Sequence, residues 1–187
     1  SANGHISVVE ALLEQNASID QPNNAGFTPL FVASANGHIS VVEALLKNKA
    51  SINKPNNAGV TPLIVASENG YTEIVRLLIG EKDADVNHPN EYGTTPLLIA
   101  SIGNHIDLVK LLVEKKAEVN KSKKDGLTPL IVASENGYTE IVTFLTSLNT
   151  FFEYTFTTSP GFNKIFSSDF GSFLTLSKLK EIIFGLV

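Results

Sequence analysis

A Thr-Pro dipeptide recurs four times at an almost constant step, and this periodicity constrains the fold more than any other feature of the sequence. The steps are 33, 34 and 33 residues, and a leucine follows each dipeptide. A fixed period of this length is typical of solenoids, in which each supersecondary unit stacks on the next. The four dipeptides are Thr28-Pro29, Thr61-Pro62, Thr95-Pro96 and Thr128-Pro129.

Each unit has the pattern of two short helices joined by a turn. Thr28 suits an N-cap, because its hydroxyl can accept a free backbone N–H, and Pro29 suits the first helical position. Gly37 follows the first helix and can adopt the left-handed conformation that ends it, and Asn104 stands at this position in the third unit. The second helix carries one broad apolar face, made in the first full unit by Val41, Val42, Leu45 and Leu46.

These motifs resemble the ankyrin repeat family: Gly-x-Thr-Pro-Leu four times, then Gly37-His38, Val42, Leu45-Leu46, Ala50 and Ile52-Asn53 in the first full unit. The resemblance implies an all-α solenoid of stacked helix-turn-helix units with protruding turns. It covers about residues 1–147, as a leading half unit and four full units. We place the half unit at 1–25 and the full units at about 26–58, 59–92, 93–125 and 126–147.

One position departs from the family pattern in every unit. The family usually has a histidine after Thr-Pro-Leu, whose hydrogen bonds tie the unit together. Here this position is apolar, so we expect apolar packing to replace those bonds. The residues concerned are Phe31, Ile64, Leu98 and Ile131.

The resemblance also implies protein recognition through the turn tips and the first helices, with no enzymatic activity and no cofactor. Among the candidates, Phe27, Val60, Tyr92 and Leu127 form a partly apolar row, and the alternative that these four pack against neighbouring turns stays open. The predicted protein-binding residues are Asn24, Phe27, Asn57, Val60, Glu68, Glu91, Tyr92, Thr94, Lys124, Asp125, Leu127 and Glu135.

The composition and the absence of known motifs exclude several classes of function. The net charge is −5, and the one cluster of lysines, at 115–124, is interrupted by acidic residues, so we expect no nucleic-acid binding. No apolar run reaches the ~18 residues that span a bilayer. No motif for a nucleotide phosphate, a catalytic zinc or a nucleophilic serine occurs. We therefore predict a monomeric, non-catalytic module that binds an intracellular protein, and the alternative is a rigid spacer within a longer ankyrin array.

The two ends of the sequence differ from the repeats. The chain contains no methionine and opens within a unit, so we expect its natural N-terminus to lie upstream. The family resemblance and the absence of cysteine favour a cytoplasmic location. Residues 148–187 hold eight of the eleven phenylalanines and lack the repeat pattern. This tail is interpreted as a cap, as the start of a further domain or as non-native sequence, and we expect it to be poorly ordered.

Overall fold

The computed structural model describes residues 5–158, and its regular secondary structure in that range is entirely α-helical. Residues up to Ile141 form one compact unit, and Val142 begins a second. Within the described range, every helix is too short or too polar to span a bilayer. In chain order the helices are α1 (Ile6–Glu14), α2 (Pro29–Ala35), α3 (Ile39–Lys47), α4 (Pro62–Glu68), α5 (Thr72–Gly80), α6 (Pro96–Ile102), α7 (Ile106–Glu114), α8 (Pro129–Glu135) and α9 (Thr139–Thr158).

The Thr-Pro-Leu segments form the first helix of each pair, and we call these four, α2, α4, α6 and α8, the inner helices. The Thr28 hydroxyl accepts a hydrogen bond from the backbone N–H of Phe31 at 3.2 Å. The same bond recurs in the other three units at 3.2–3.3 Å, and proline occupies the start of each inner helix. The predicted capping is therefore confirmed in all four units.

A left-handed residue ends each inner helix and turns the chain into the second helix. Gly37 has φ +74°, and Asn104, which replaces glycine in the third unit, has φ +56°. A side chain strains this conformation, and asparagine is among the few residues that tolerate it. The substitution at 104 therefore preserves the geometry of the turn, as the sequence predicted.

The inner helices form one continuous row, in which α2 packs on α4, α4 on α6 and α6 on α8. Helices α2, α4 and α6 also pack on the second helix of their own pair, and the second helices contact one another in turn from α1 to α7. Leucine and isoleucine side chains between the layers are fully buried, each worth about 1.5–3 kcal/mol. The largest of them are Leu30, Leu45, Ile64, Ile74, Leu78, Leu97, Leu98, Leu108, Leu112 and Ile141.

The apolar residues that replace the family histidine divide into two groups. Phe31, Ile64 and Leu98 are 7%, 1% and 0% exposed, so apolar packing does replace hydrogen bonding there. Ile131 is 43% exposed, so the expectation is wrong for the fourth unit. The reason is that α8 is the last inner helix in the described part of the chain, and no further inner helix covers its far side.

Side chains in the loops that follow the second helices bind consecutive units together. Asp20 accepts hydrogen bonds from the backbone N–H and the hydroxyl of Ser51, at 2.8 and 2.6 Å. Two units further along the stack, Asn87 accepts the backbone N–H of Glu118 at 2.8 Å and donates to the carbonyl of Lys116 at 3.4 Å. These bonds hold the units in register along the stack.

The helical structure continues beyond the array boundary that the sequence pattern indicated at residue 147. Helix α9 runs to Thr158 without interruption. The remaining tail, residues 159–187, lies outside the described residues. The poor order expected of that segment therefore stays a prediction.

Candidate protein-binding surface

The turn tips between units are built by asparagines that the sequence analysis did not single out. The Asn90 Oδ1 atom accepts two backbone N–H groups, those of Tyr92 at 3.0 Å and Thr94 at 2.9 Å. Asn23 and Asn56 make the same pair of bonds in the preceding tips, at 2.9–3.0 Å. An asparagine that bonds its own backbone two residues on is a recognised turn former. The constant Asn-x-x-Gly spacing was the signal that could have found them.

The fourth tip replaces this asparagine with Lys123 and forms its turn differently. The Asp125 carboxylate accepts the backbone N–H of Leu127 at 3.1 Å and pairs with the Lys123 ammonium at 2.9 Å. The bond from Lys123 and then the bond from the Leu127 N–H lower the pKa of the Asp125 carboxyl below its ordinary value. Lys123 and Asp125 therefore shape this tip, and the Asp125 side chain remains exposed.

Hydrogen bonds between backbones join each tip to the next. The N–H of Asn57 donates to the carbonyl of Ala25 at 3.1 Å, and the N–H of Lys124 donates to the carbonyl of Tyr92 at 3.0 Å. The Asn57 side chain adds a bond to the carbonyl of Asn24 at 3.0 Å. The tips thus form a fixed row. The side-chain amide of Asn57 already donates one hydrogen bond within that row.

The twelve predicted binding residues differ in accessibility. Tyr92 is 67% exposed, the highest value among the exposed large hydrophobic side chains of the described residues. Thr94 is only 7% exposed, so its side chain is unavailable to a partner, and we leave it out of the surface. Phe27, Val60 and Leu127 are half-buried, and the exposed residues besides Tyr92 are Asn24, Asn57, Glu68, Glu91, Lys124, Asp125 and Glu135.

Phe27 has a packing role that limits what it can offer to a partner. Its ring stacks on Phe31, with the ring centroids 4.7 Å apart and the planes parallel within 1°. Offset aromatic stacking of this kind stabilises a fold beyond simple burial. The interpretation that Phe27 packs within the stack is therefore better supported than the interpretation that it anchors a partner.

Three carboxylates at the inner-helix ends and in the third tip are without a counter-charge within residues 5–148. Glu68 ends α4 and Glu135 ends α8 at the same position of their units, and Glu91 stands in the third tip. All three are exposed, and within residues 5–148 none of them forms an ion pair. Lys124, in the fourth tip, is likewise exposed and forms no ion pair within that range, so the surface combines three unpaired negative charges and one unpaired positive charge with an exposed aromatic ring. We call the exposed residues of the tips and of the inner-helix ends the tip surface.

The repeated His/Tyr position after the inter-helix turn serves the stacking of units. The His105 Nε2 atom lies 3.2 Å from the carbonyl oxygen of Glu68, and the Tyr138 hydroxyl donates to the carbonyl of Ile102 at 3.4 Å. Each of these rings thus reaches the end of the preceding inner helix. This contact agrees with the interpretation of the position as structural.

Comparison with known proteins gives one family match. A family model described as ankyrin repeats in three copies matches residues 1–90 and 83–155. The match covers most of the chain and includes helices α1 to α8 and most of α9. None of the curated proteins compared matches the chain significantly.

Proposed function

Because the chain belongs to the ankyrin repeat family, we propose that it is a non-catalytic module that binds another intracellular protein through the tip surface. Ankyrin repeats are generally protein–protein interaction modules and are typically non-catalytic. The proposal adds the face that makes the contact and the chemistry of the partner that this face accepts.

The observation that carries the proposal is the exposure of Tyr92 on a rigid support. Its backbone N–H is fixed by Asn90 and its carbonyl by the N–H of Lys124. The ring nevertheless remains 67% exposed. A large side chain on a preorganised backbone loses little conformational entropy on binding, and tyrosine is among the residues enriched at interface hot spots.

The charge of the tip surface indicates what the partner offers in return. Glu68, Glu91 and Glu135 are exposed and unpaired within residues 5–148. Complementary potentials raise association rates and exclude partners of like charge. We therefore propose a partner with lysine or arginine side chains around an apolar centre that receives Tyr92.

Affinity capture from the native host's lysate tests the proposal with three baits: the wild-type chain, Tyr92→Arg and Ile39→Arg. Ile39 is a matched control, because it is a 41% exposed apolar residue at the start of α3 and is not one of the residues predicted to bind a partner. We expect a protein that the wild-type and Ile39→Arg baits retain and the Tyr92→Arg bait loses. Equal capture by all three baits would contradict the proposed face. Circular dichroism of each bait confirms that its helices remain.

A rigid spacer within a longer array is the second candidate, and the first two tips favour it. Both have the sequence Asn-Asn-Ala-Gly, at residues 23–26 and 56–59. The Asn57 side chain bonds to the neighbouring tip rather than projecting freely. Tips that are nearly alike and bonded to one another offer less specificity to a partner. On this alternative, no bait captures a specific protein.

A further inference from the structure

Three of the four inner helices end on an asparagine that a glycine follows directly. Each asparagine is the C-cap of its helix, and each glycine has a left-handed φ between +69° and +74°. The third unit has the reversed order, Gly103-Asn104. We call the three pairs the Asn-Gly turns, and they are Asn36-Gly37, Asn69-Gly70 and Asn136-Gly137. A further pair of the sequence, Asn3-Gly4, lies outside the described residues.

An asparagine followed by glycine can react with its own backbone. The backbone nitrogen of the glycine attacks the asparagine Cγ atom, a C–N bond forms, and the side-chain nitrogen leaves as ammonia. Water then opens the resulting succinimide ring at either carbonyl, and the products are aspartate and isoaspartate. The net change consumes water and releases ammonia, with no oxidation or reduction. Glycine favours the attack because it carries no Cβ to crowd the nitrogen.

The folded turn holds each asparagine away from this reaction. The Asn36 Nδ2 atom donates to the carbonyl of Val32 at 2.8 Å, and Asn69 and Asn136 make the same bond at 2.9 and 2.8 Å. The backbone ψ is 3° at Asn36 and −1° at the other two asparagines. The attack requires the side chain to leave its carbonyl partner and the backbone to rotate about ψ. The reaction therefore proceeds from turns that have opened locally.

The Asn-Gly turns differ in what lies over the glycine. A Cβ placed on Gly37 would lie 3.0 Å from the Cζ atom of Tyr71, and one placed on Gly70 would lie 2.6 Å from the Cε1 atom of His105. Each ring belongs to the next unit, so it must move before the turn can open. At Gly137, no atom of the described residues beyond its chain neighbours lies within 4 Å of such a Cβ. Gly137 is also exposed, whereas the other two glycines are half-buried.

We propose that Asn136-Gly137 is a site of spontaneous covalent modification, at which Asn136 is converted to aspartate or isoaspartate in the folded chain. Asn36 and Asn69 share its turn geometry but are protected by the ring over each glycine. Reaction at Asn136 removes the amide donor to Val132 and places a carboxylate at the C-terminal end of α8, where the helix dipole disfavours negative charge. The modification therefore weakens the last turn of α8. This inference does not rest on the proposed tip surface.

Incubation of the full chain at mildly alkaline pH, followed by peptide mapping with mass spectrometry, measures conversion at each asparagine separately. Replacement of an amide by a carboxyl changes the peptide mass, and chromatography separates aspartate from isoaspartate. In the folded chain, we expect Asn136 to convert at least about fivefold faster than Asn36 and Asn69, because its turn opens more easily. In concentrated guanidinium chloride, where the fold no longer protects the turns, we expect the three rates to agree within about twofold.

Two variants separate the effect of the covering ring from the effect of the sequence. Tyr71→Ala removes the ring over Gly37 alone, so we expect the rate at Asn36 to approach that at Asn136. Asn69 is the matched control within the same molecule, and its rate should not change. Asn136→Gln lengthens the side chain by a methylene, which disfavours ring closure, and should abolish conversion at this position only. Circular dichroism confirms that the helices of both variants remain.

Three results would overturn the proposal. The first is conversion at equal rates in the three Asn-Gly turns of the folded chain. The second is the absence of conversion at Asn136 in the folded chain over a period that converts it completely in guanidinium chloride. The third is a Tyr71→Ala variant in which the rate at Asn36 does not rise, or rises no more than the rate at Asn69, because protection would then not depend on the covering ring.

Discussion

Replacing Gly59 with alanine tests whether the turn tips pack against one another as a rigid row. Gly59 has φ +73°, and Gly126 occupies the same tip position in the fourth unit with φ +86°. An added Cβ at Gly59 would lie 2.9 Å from the backbone nitrogen of Glu91 in the next tip. A Cβ at Gly126 meets nothing within 4 Å, so Gly126→Ala is a matched control for the backbone conformation alone.

Both substitutions place alanine in a left-handed conformation, but only Gly59→Ala also brings the new Cβ against a neighbouring tip. The left-handed conformation costs alanine about 1–2 kcal/mol, and the reduced entropy of the unfolded chain offsets about 0.4–1 kcal/mol of this. We therefore expect Gly126→Ala to lower the free energy of unfolding by about 1 kcal/mol. Gly59→Ala must also displace the backbone of the next tip, and overpacking of this kind costs a further ~1–3 kcal/mol.

Urea denaturation followed by circular dichroism measures both free energies of unfolding. We expect Gly59→Ala to be the less stable variant by about 1–3 kcal/mol, which is the overpacking cost alone. Equal destabilisation of the two variants would refute the close approach of the tips. A larger loss for Gly126→Ala would refute it as well.

Three further outcomes are expected. Thr61→Ala removes an N-cap and lowers the free energy of unfolding by about 1 kcal/mol in urea denaturation, whereas Thr61→Ser retains the cap. Asn87→Ala removes two bonds between units and costs about 1–3 kcal/mol, whereas Asn120→Ala, whose side chain forms no hydrogen bond within residues 5–148, leaves stability nearly unchanged. The Asp125 pKa is lowered in the folded chain, so its contribution to stability is present at neutral pH and is lost as the pH falls through that lowered pKa. Titration by carboxyl NMR should show the Asp125 pKa rising in Lys123→Ala.

The fold could be predicted because its determinants are local and repeated. An N-capping hydroxyl such as that of Thr28 acts three residues along the chain, and Asn104 could be recognised as a left-handed residue from its place in the period. The apolar faces of the helices follow from spacing alone. None of these inferences required knowledge of which units become neighbours.

The exposure of a surface side chain depends on the neighbouring units, so the sequence predicted exposure less well than it predicted the fold. Thr94 and Tyr92 are two residues apart in one tip, yet the first is 7% and the second 67% exposed. Ile131 has the sequence context of the buried Ile64 and is nevertheless exposed, because burial at this position depends on the inner helix that follows. Burial in a stack is a property of adjacent units rather than of one unit's sequence.

Site-specific photo-crosslinking tests the central claim, binding through the tip surface, most directly. A photoreactive phenylalanine analogue replaces Tyr92 in one variant of the chain and Ile39 in another, and each is irradiated in the native host's lysate. We predict a crosslinked species from position 92 that position 39 does not yield, and an excess of the wild-type chain should compete it away. A competed crosslink from position 39 alone would place the binding face on the second helices and contradict the account.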